Sequence, residues 1–161
     1  MLAAGIDSKF LILKQEIMKE YFLVKVHYTD VDADGKVSSV KEQYLINAIS
    51  FSDAETKAIE FVNDNKTNEV SIDNIDAISR TKIEEFLKSN TFGDKYYLTC
   101  VASISIDEKT AKEKKNYSYQ IINAPTLDEA RITLNNWIKE STVDFDICSI
   151  KETKIIDLID E

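Results

Sequence analysis

The chain has 161 residues, of which 20 are basic and 29 acidic, giving a net charge of −9 at pH 7. With 43% hydrophobic and 30% charged residues, three glycines and one proline, the composition is that of a globular protein and excludes disordered and collagen-like chains. No apolar run approaches the roughly 20 residues that span a bilayer as a helix, and an acidic chain with only two arginines, Arg80 and Arg131, lacks the positive field of a nucleic-acid binder.

Residues 1–19 form a segment of their own. Phe10, Leu11, Ile12, Leu13 and Ile17 predict a helix over 8–19, and Met18 stands where it could serve as an alternative start. No basic stretch precedes the apolar run, so a secretory signal is not expected and an intracellular, reducing compartment is. Residues 20–161 read as a single domain made of two repeats, 20–85 and 95–159. Tyr21-Phe22-Leu23-Val24-Lys25-Val26 lies 75 residues before Tyr96-Tyr97-Leu98-Thr99-Cys100-Val101, and Ile46-Asn47-Ala48 lies 76 before Ile122-Asn123-Ala124. Val70, Ile72 and Asp73 match Val143, Phe145 and Asp146, and Thr81-Lys82-Ile83 matches Thr153-Lys154-Ile155. Four matches in order and near-constant offset indicate duplication.

Each repeat reads as β-β-α-β. Tyrosine, valine and isoleucine predict first strands over 21–28 and 96–106, and second strands over 39–48 and 116–124. Ser50 and Thr126 are matching helix N-caps, with Asp53 and Glu129 three residues on; Thr126 with Glu129 has the full capping-box form. Phe51, Ala54, Ala58, Phe61 and Val62 then share one spacing with Leu127, Ala130, Leu134, Trp137 and Ile138, the stripe of a helix lying on a sheet. Trp137 is read as a core anchor. Third strands are expected over 70–79 and 143–151, and a short helix over 83–88 followed by a loop to 94. The fold class is α+β: an internally duplicated β-β-α-β unit forming a mostly antiparallel sheet with helices on one face, related by a pseudo-twofold axis.

Catalytic motifs are scarce. His27, the only histidine, falls mid-strand and reads as structural, and neither glycine-rich phosphate loop occurs. Asp30, Asp32 and Asp34 followed by Gly35 imitate the first half of a calcium loop, but Lys41 stands where the bidentate glutamate belongs, and Asp-Gly is also a hairpin turn signal. The turn is the simpler reading. Lys109, Lys112, Lys114 and Lys115 read as a solvated hairpin tip. Cys100 and Cys148 belong to no metal-binding spacing and read as buried small hydrophobes. Tyr21, Phe22, Tyr28 and Tyr44 in the first copy are read as echoed by Tyr96, Tyr97, Tyr117 and Tyr119 in the second.

The pattern Tyr21-Phe22-Leu23-Val24-Lys25-Val26, then Gly35-Lys36 near a hairpin, then Tyr44-Leu45-Ile46-Asn47-Ala48-Ile49-Ser50-Phe51-Ser52-Asp53-Ala54-Glu55, resembles a family of uncharacterised proteins of Bacteroidota and of their phages and mobile elements. Asp107-Glu108-Lys109 and the terminal Ile150-Lys151-Glu152-Thr153-Lys154-Ile155-Ile156-Asp157 extend the resemblance over about 20–158. It implies a bacterial cytoplasm, with phage encoding, and supplies no catalytic residue or cofactor. The expectation is a small non-enzymatic binding protein without a cofactor. It would act by stoichiometric contact with a host protein, or by sequestering a small signalling nucleotide in a homo-oligomer. For the nucleotide, Arg80, Arg131, Lys25 and Lys82 are the cationic candidates. A structural or assembly protein of a phage particle is the alternative. Neither nucleic acid nor membrane is an expected partner.

Overall fold

The structure, a computed structural model, describes residues 20–66 and 69–160. The helix expected over 8–19 lies outside the described residues. Strand β1 (Glu20–Val31) alternates: Phe22, Val24, Val26 and Tyr28 are buried and Lys25 between them is exposed. It pairs antiparallel with β2 (Val37–Ala48) from Glu20↔Ala48 to Val31↔Val37. Helix α1 (Phe51–Asn65) covers the even-numbered face, and Ala54, Ala58 and Val62 are buried in the resulting core with Tyr44, Ile46 and Ala48. Each fully buried valine, isoleucine or phenylalanine there contributes about 1.5–3 kcal/mol. Ser50 caps α1 by accepting from Asp53 N at 3.1 Å, and the Asp53 carboxylate returns to Ile49 N at 3.1 Å. The shorter acid of the first copy thus holds the residue before the N-cap and not the N-cap N–H of a full capping box.

The third strand is shorter than expected: β3 (Ile75–Arg80) begins five residues after Val70. Asn63 explains the difference, since its amide brackets Val70, accepting from its N–H at 2.8 Å and donating to its carbonyl at 3.3 Å. Ser71 and Asn74 then close a turn of 3₁₀ helix, and Asn74 also donates to the His27 carbonyl at 2.9 Å.

The segment 83–88 is a strand and not the expected helix. β4 (Ile83–Lys88) pairs parallel with β6 (Glu113–Ala124), Phe86 opposite Ile121 and Leu87 opposite Ile122. The spacing Ile83, Phe86, Leu87 imitates a helical face, but six residues cannot stabilise an isolated helix. As a strand the same residues serve both faces: Leu87 packs into the second core and Phe86 lies 6.5 Å from the Tyr96 ring. The second copy repeats the first, with β5 (Lys95–Ile106) antiparallel to β6, helix α2 (Leu127–Glu140) over Tyr97, Val101, Ile122 and Ala124, and β7 (Asp146–Glu152) antiparallel to β5. Strand β8 (Ile155–Ile159) follows. Gly93 admits no side chain at the entry to β5: a Cβ there would stand 2.1 Å from the Ala124 carbonyl carbon, and Asn123 holds the glycine through its N–H at 3.0 Å and its carbonyl at 2.7 Å.

Among the described residues, eight strands therefore form two mostly antiparallel sheets, ordered β3-β1-β2-β8 and β4-β6-β5-β7. The strand that ends each repeat is absent from that repeat's own sheet: β4 completes the second sheet and β8 the first. The chain divides into two compact units accordingly, one running to Thr81 and taking in the chain from Asp157, the other Lys82–Ile156. The hinge of each exchange is the same clamp. Thr81 gives its N–H and hydroxyl to the Tyr21 carbonyl at 3.1 and 2.7 Å, and Thr153 gives the same groups to the Tyr96 carbonyl at 2.9 and 2.7 Å.

Candidate functional site

Each sheet ends, at its exchanged strand, in a cleft walled by the helix of the same unit. The first cleft has a volume of about 650 Å³ and lies between α1 and the end of β8; the second, about 330 Å³, lies between α2 and β4. Most of their wall residues correspond. Lys57, Glu60, Phe61 and Asp64 on α1 stand 76 positions before Thr133, Asn136, Trp137 and Glu140 on α2, and Leu158, Ile159 and Asp160 stand 72 after Phe86, Leu87 and Lys88. Both β8 and β4 are outer strands, so one backbone edge of each carries no ladder partner among the described residues.

The aromatic floor is fixed from below. Phe61 meets the Tyr44 ring edge-on at 5.4 Å, and Trp137 stacks on Phe145 at 5.4 Å while its indole N–H donates to Glu85 at 3.0 Å. Trp137 packs against the second core, as its reading as a core anchor expects, and is half-buried, with part of the ring lining the cleft. The rim is acidic. Glu60, Asp64 and Asp160 face one lysine in the first cleft, and that Lys57 is engaged, donating to the Asn47 carbonyl at 2.9 Å with Asp53 at 3.4 Å. In the second cleft Glu129 and Glu140 outnumber Lys88, whose ammonium lies 5.6 Å from the Phe86 ring centre.

The four cations singled out in the sequence do not line either cleft. Arg80 lies 3.4 Å from Glu20 and covers the Phe22 and Phe51 rings at 5.9 and 5.2 Å, on the helix side of its sheet. Lys25, exposed on the same sheet, alternates to the opposite face. In the second unit Arg131 on α2 faces Asp128 at 3.5 Å, and Lys82 is exposed ahead of β4. The aspartate loop is a turn. Asp32 accepts from Asp34 N at 2.9 Å and Lys36 N at 2.8 Å, Asp30 accepts from Val31 N at 3.0 Å, and Gly35 takes φ 81°. Among the described residues no group of three metal-ligating side chains converges. The lysine cluster is likewise the exposed tip of the β5–β6 hairpin.

Beneath α1 two tyrosines share one carboxylate. Tyr28 donates to one Glu42 oxygen at 2.8 Å and Tyr44 to the other. Burial, reinforced by that carboxylate, pushes the Tyr28 hydroxyl up to about 12 and the Tyr44 hydroxyl further in the same direction. The aromatic echo read from the sequence stops here. By register Tyr44 sits opposite Val24 and its counterpart Gln120 opposite Thr99, whereas Tyr119 faces Cys100 on the other side of its sheet. Gln120 builds its own buried network, accepting from the Thr99 hydroxyl at 2.9 Å and donating to Ser118 at 2.8 Å. His27 is half-exposed with Nδ1 2.6 Å from Asp76. Cys100 is buried as expected, but Cys148 is exposed, because the β5–β7 ladder bulges at that residue.

The sequence reading missed the clefts because each needs an exchanged strand. The signal was present as the matched pair Thr81-Lys82-Ile83 and Thr153-Lys154-Ile155, which opens β4 and β8. Compared with known proteins, residues 20–161 match the family model described as "Domain of unknown function (DUF4494)". No curated protein matches, and no solved structure matches.

Proposed function

Since the chain belongs to that family, whose description assigns no activity, we propose from the clefts alone that the protein is a non-enzymatic binding module acting by stoichiometric contact with a protein partner. The observation that carries this reading is the coincidence, in both copies, of an open strand edge with an aromatic floor and an acidic rim. An extended segment added to such an edge gains affinity from main-chain hydrogen bonds and specificity from the side chains that enter the cleft. The carboxylates favour lysine or arginine in that segment and oppose a phosphate, so a protein partner suits these clefts better than a signalling nucleotide. The phage and Bacteroidota setting implied by the resemblance makes a protein of the bacterial host cytoplasm the partner class. Self-association through the same edges, as a phage-particle component would use, is the second reading, and what favours it is that β4 and β8 are outer strands among the described residues.

Trp137 is the only tryptophan and sits in the second cleft, so its fluorescence reports occupancy directly. A peptide of alternating lysine and valine is expected to change that signal saturably, with affinity falling as salt rises. A variant carrying Glu129→Lys and Glu140→Lys should lose the response. A saturable response to a cyclic dinucleotide and none to the peptide would replace this reading with sequestration. Concentration-dependent assembly with neither response would favour the particle component.

A further inference from the structure

We propose that Cys100 and Cys148 form a reversible intramolecular disulfide site, closed by hydrogen peroxide or by exchange with a low-molecular-weight disulfide such as oxidised glutathione. The site lies wholly within the second unit and stands independently of the binding reading. In the β5–β7 ladder Cys100 faces Ser149 and Val101 faces Ile147, so Cys148 is the extra residue of a bulge and shares the place across from Cys100. Cys148 adjoins Ser149, the ladder partner of Cys100, and a disulfide spans Cα separations of roughly 4.4–6.8 Å, a little beyond the about 4.5–5.5 Å of directly opposed residues. The two side chains are close enough for Cys148 to raise the Cys100 thiol. Cys148 also points its sulfur at the Asp146 carbonyl, 3.9 Å away.

The first unit serves as an internal control. Its β1–β3 ladder bulges at the corresponding step, between Lys25 and Val26, and the places of Cys100 and Cys148 are taken by Lys25 and Asp76. The bulge therefore tolerates large charged side chains, and packing does not demand two thiols there. Exposure divides the roles. Cys148 is exposed and meets the oxidant, while Cys100 is buried at 8% exposure and closes the bond. Burial, then the neighbouring Cys148, raises the Cys100 thiol above its ordinary range, whereas its hydrogen bond with Tyr119 pulls the other way. Cys100 is thus the poorer first nucleophile.

With peroxide, the Cys148 thiolate attacks one oxygen; an S–O bond forms, the O–O bond breaks, and the departing hydroxide leaves as water after taking a proton. The Cys100 sulfur then attacks the Cys148 sulfenic sulfur; the S–S bond forms, the S–O bond breaks, and a second water leaves with the Cys100 proton. Two thiols are oxidised and one peroxide is reduced to two waters. With oxidised glutathione, a mixed disulfide at Cys148 is resolved by Cys100 and two glutathione thiols are released.

The test is intact mass and non-reducing peptide mapping of the full chain after exposure to hydrogen peroxide, and separately after equilibration in glutathione buffers. The expected result is a monomer that loses two hydrogens, carries a peptide linking Cys100 to Cys148, and regains both thiols with reductant. Cys100→Ser should leave Cys148 to accumulate sulfinic acid or a stable glutathione adduct. Wild-type protein in which Cys148 alone is oxidised while Cys100 keeps its thiol, or in which Cys148 links two chains, would overturn the proposal. That reading is taken on the wild-type chain, so it does not depend on a variant's folding.

Discussion

Gly35 and Ala111 hold the same place in the two β-hairpins, at φ 81° and 55°. Both turns are closed by an aspartate, Asp32 in the first and Asp107 in the second, where Lys109 N lies 2.9 Å from the carboxylate. The left-handed conformation strains a residue bearing a Cβ, by about 1–2 kcal/mol, partly offset by the entropy that glycine loses on folding. Ala111→Gly is expected to stabilise the protein by about 1 kcal/mol, and Gly35→Ala to destabilise it by a similar amount. An alanine Cβ at position 35 meets nothing within 4 Å, so that loss is conformational alone. Urea midpoints of the two variants moving in the same direction would refute this. The shared carboxylate of Tyr28 and Tyr44 gives a second residue-scale expectation. Tyrosines in the unfolded chain ionise near pH 10, whereas the folded Tyr28 holds its proton to about 12. The folded state binds more protons in that window, so stability is full below pH 10 and falls as pH rises from 10 to 12. Tyrosinate absorbance should show Tyr28 and Tyr44 lagging until the chain unfolds, with Tyr119 displaced in the same direction; all seven tyrosines titrating together near 10 would contradict the arrangement.

At the scale of elements, the helices were the most legible part of the sequence, because a cap and an apolar stripe are local signals. Ala54 and Ala130 occupy the same turn of each helix and are fully buried against their sheets. Leucine at either position must push the helix away from the strands, at an expected cost of roughly 1–3 kcal/mol. Thermal melts of Ala54→Leu and Ala130→Leu that match the parent would show that the helices do not approach so closely. The helix fit was legible but the start of β3 was not, since it depends on Asn63 reaching seven residues along the chain to bracket Val70. The identity of 83–88 was hidden for a related reason. Ile83, Phe86 and Leu87 have a helical spacing, and only the presence of β6 beside them decides for a strand. The clefts inherit that dependence: their helix walls could be read from the stripes, and their strand walls could not.

At the scale of the molecule, the duplication is not a tandem of two self-sufficient sheets, because each repeat yields its last strand to the other's sheet. This has a consequence that simple tandem repeats would not share. In a tandem, removing the C-terminal strand would loosen the second copy. Here β8 is the outer neighbour of β2, and Asp160 just beyond it accepts from Asn47 at 2.6 Å. Leu158 and Ile159 also help wall the first cleft. A chain ending at Glu152 should therefore keep β5, β6 and β7 paired while the first sheet loses its outer strand. Backbone groups of β2 would be opened to water and the apolar residues beside α1 partly uncovered, at about 25 cal/mol for each square ångström exposed. Hydrogen exchange is expected to accelerate through Val37–Ala48, more than a hundred residues from the cut, and through α1, with β5 and β6 protected as before. Acceleration confined to β7 would mean that the repeats are independent and that the exchange of strands contributes nothing to the stability of the first unit.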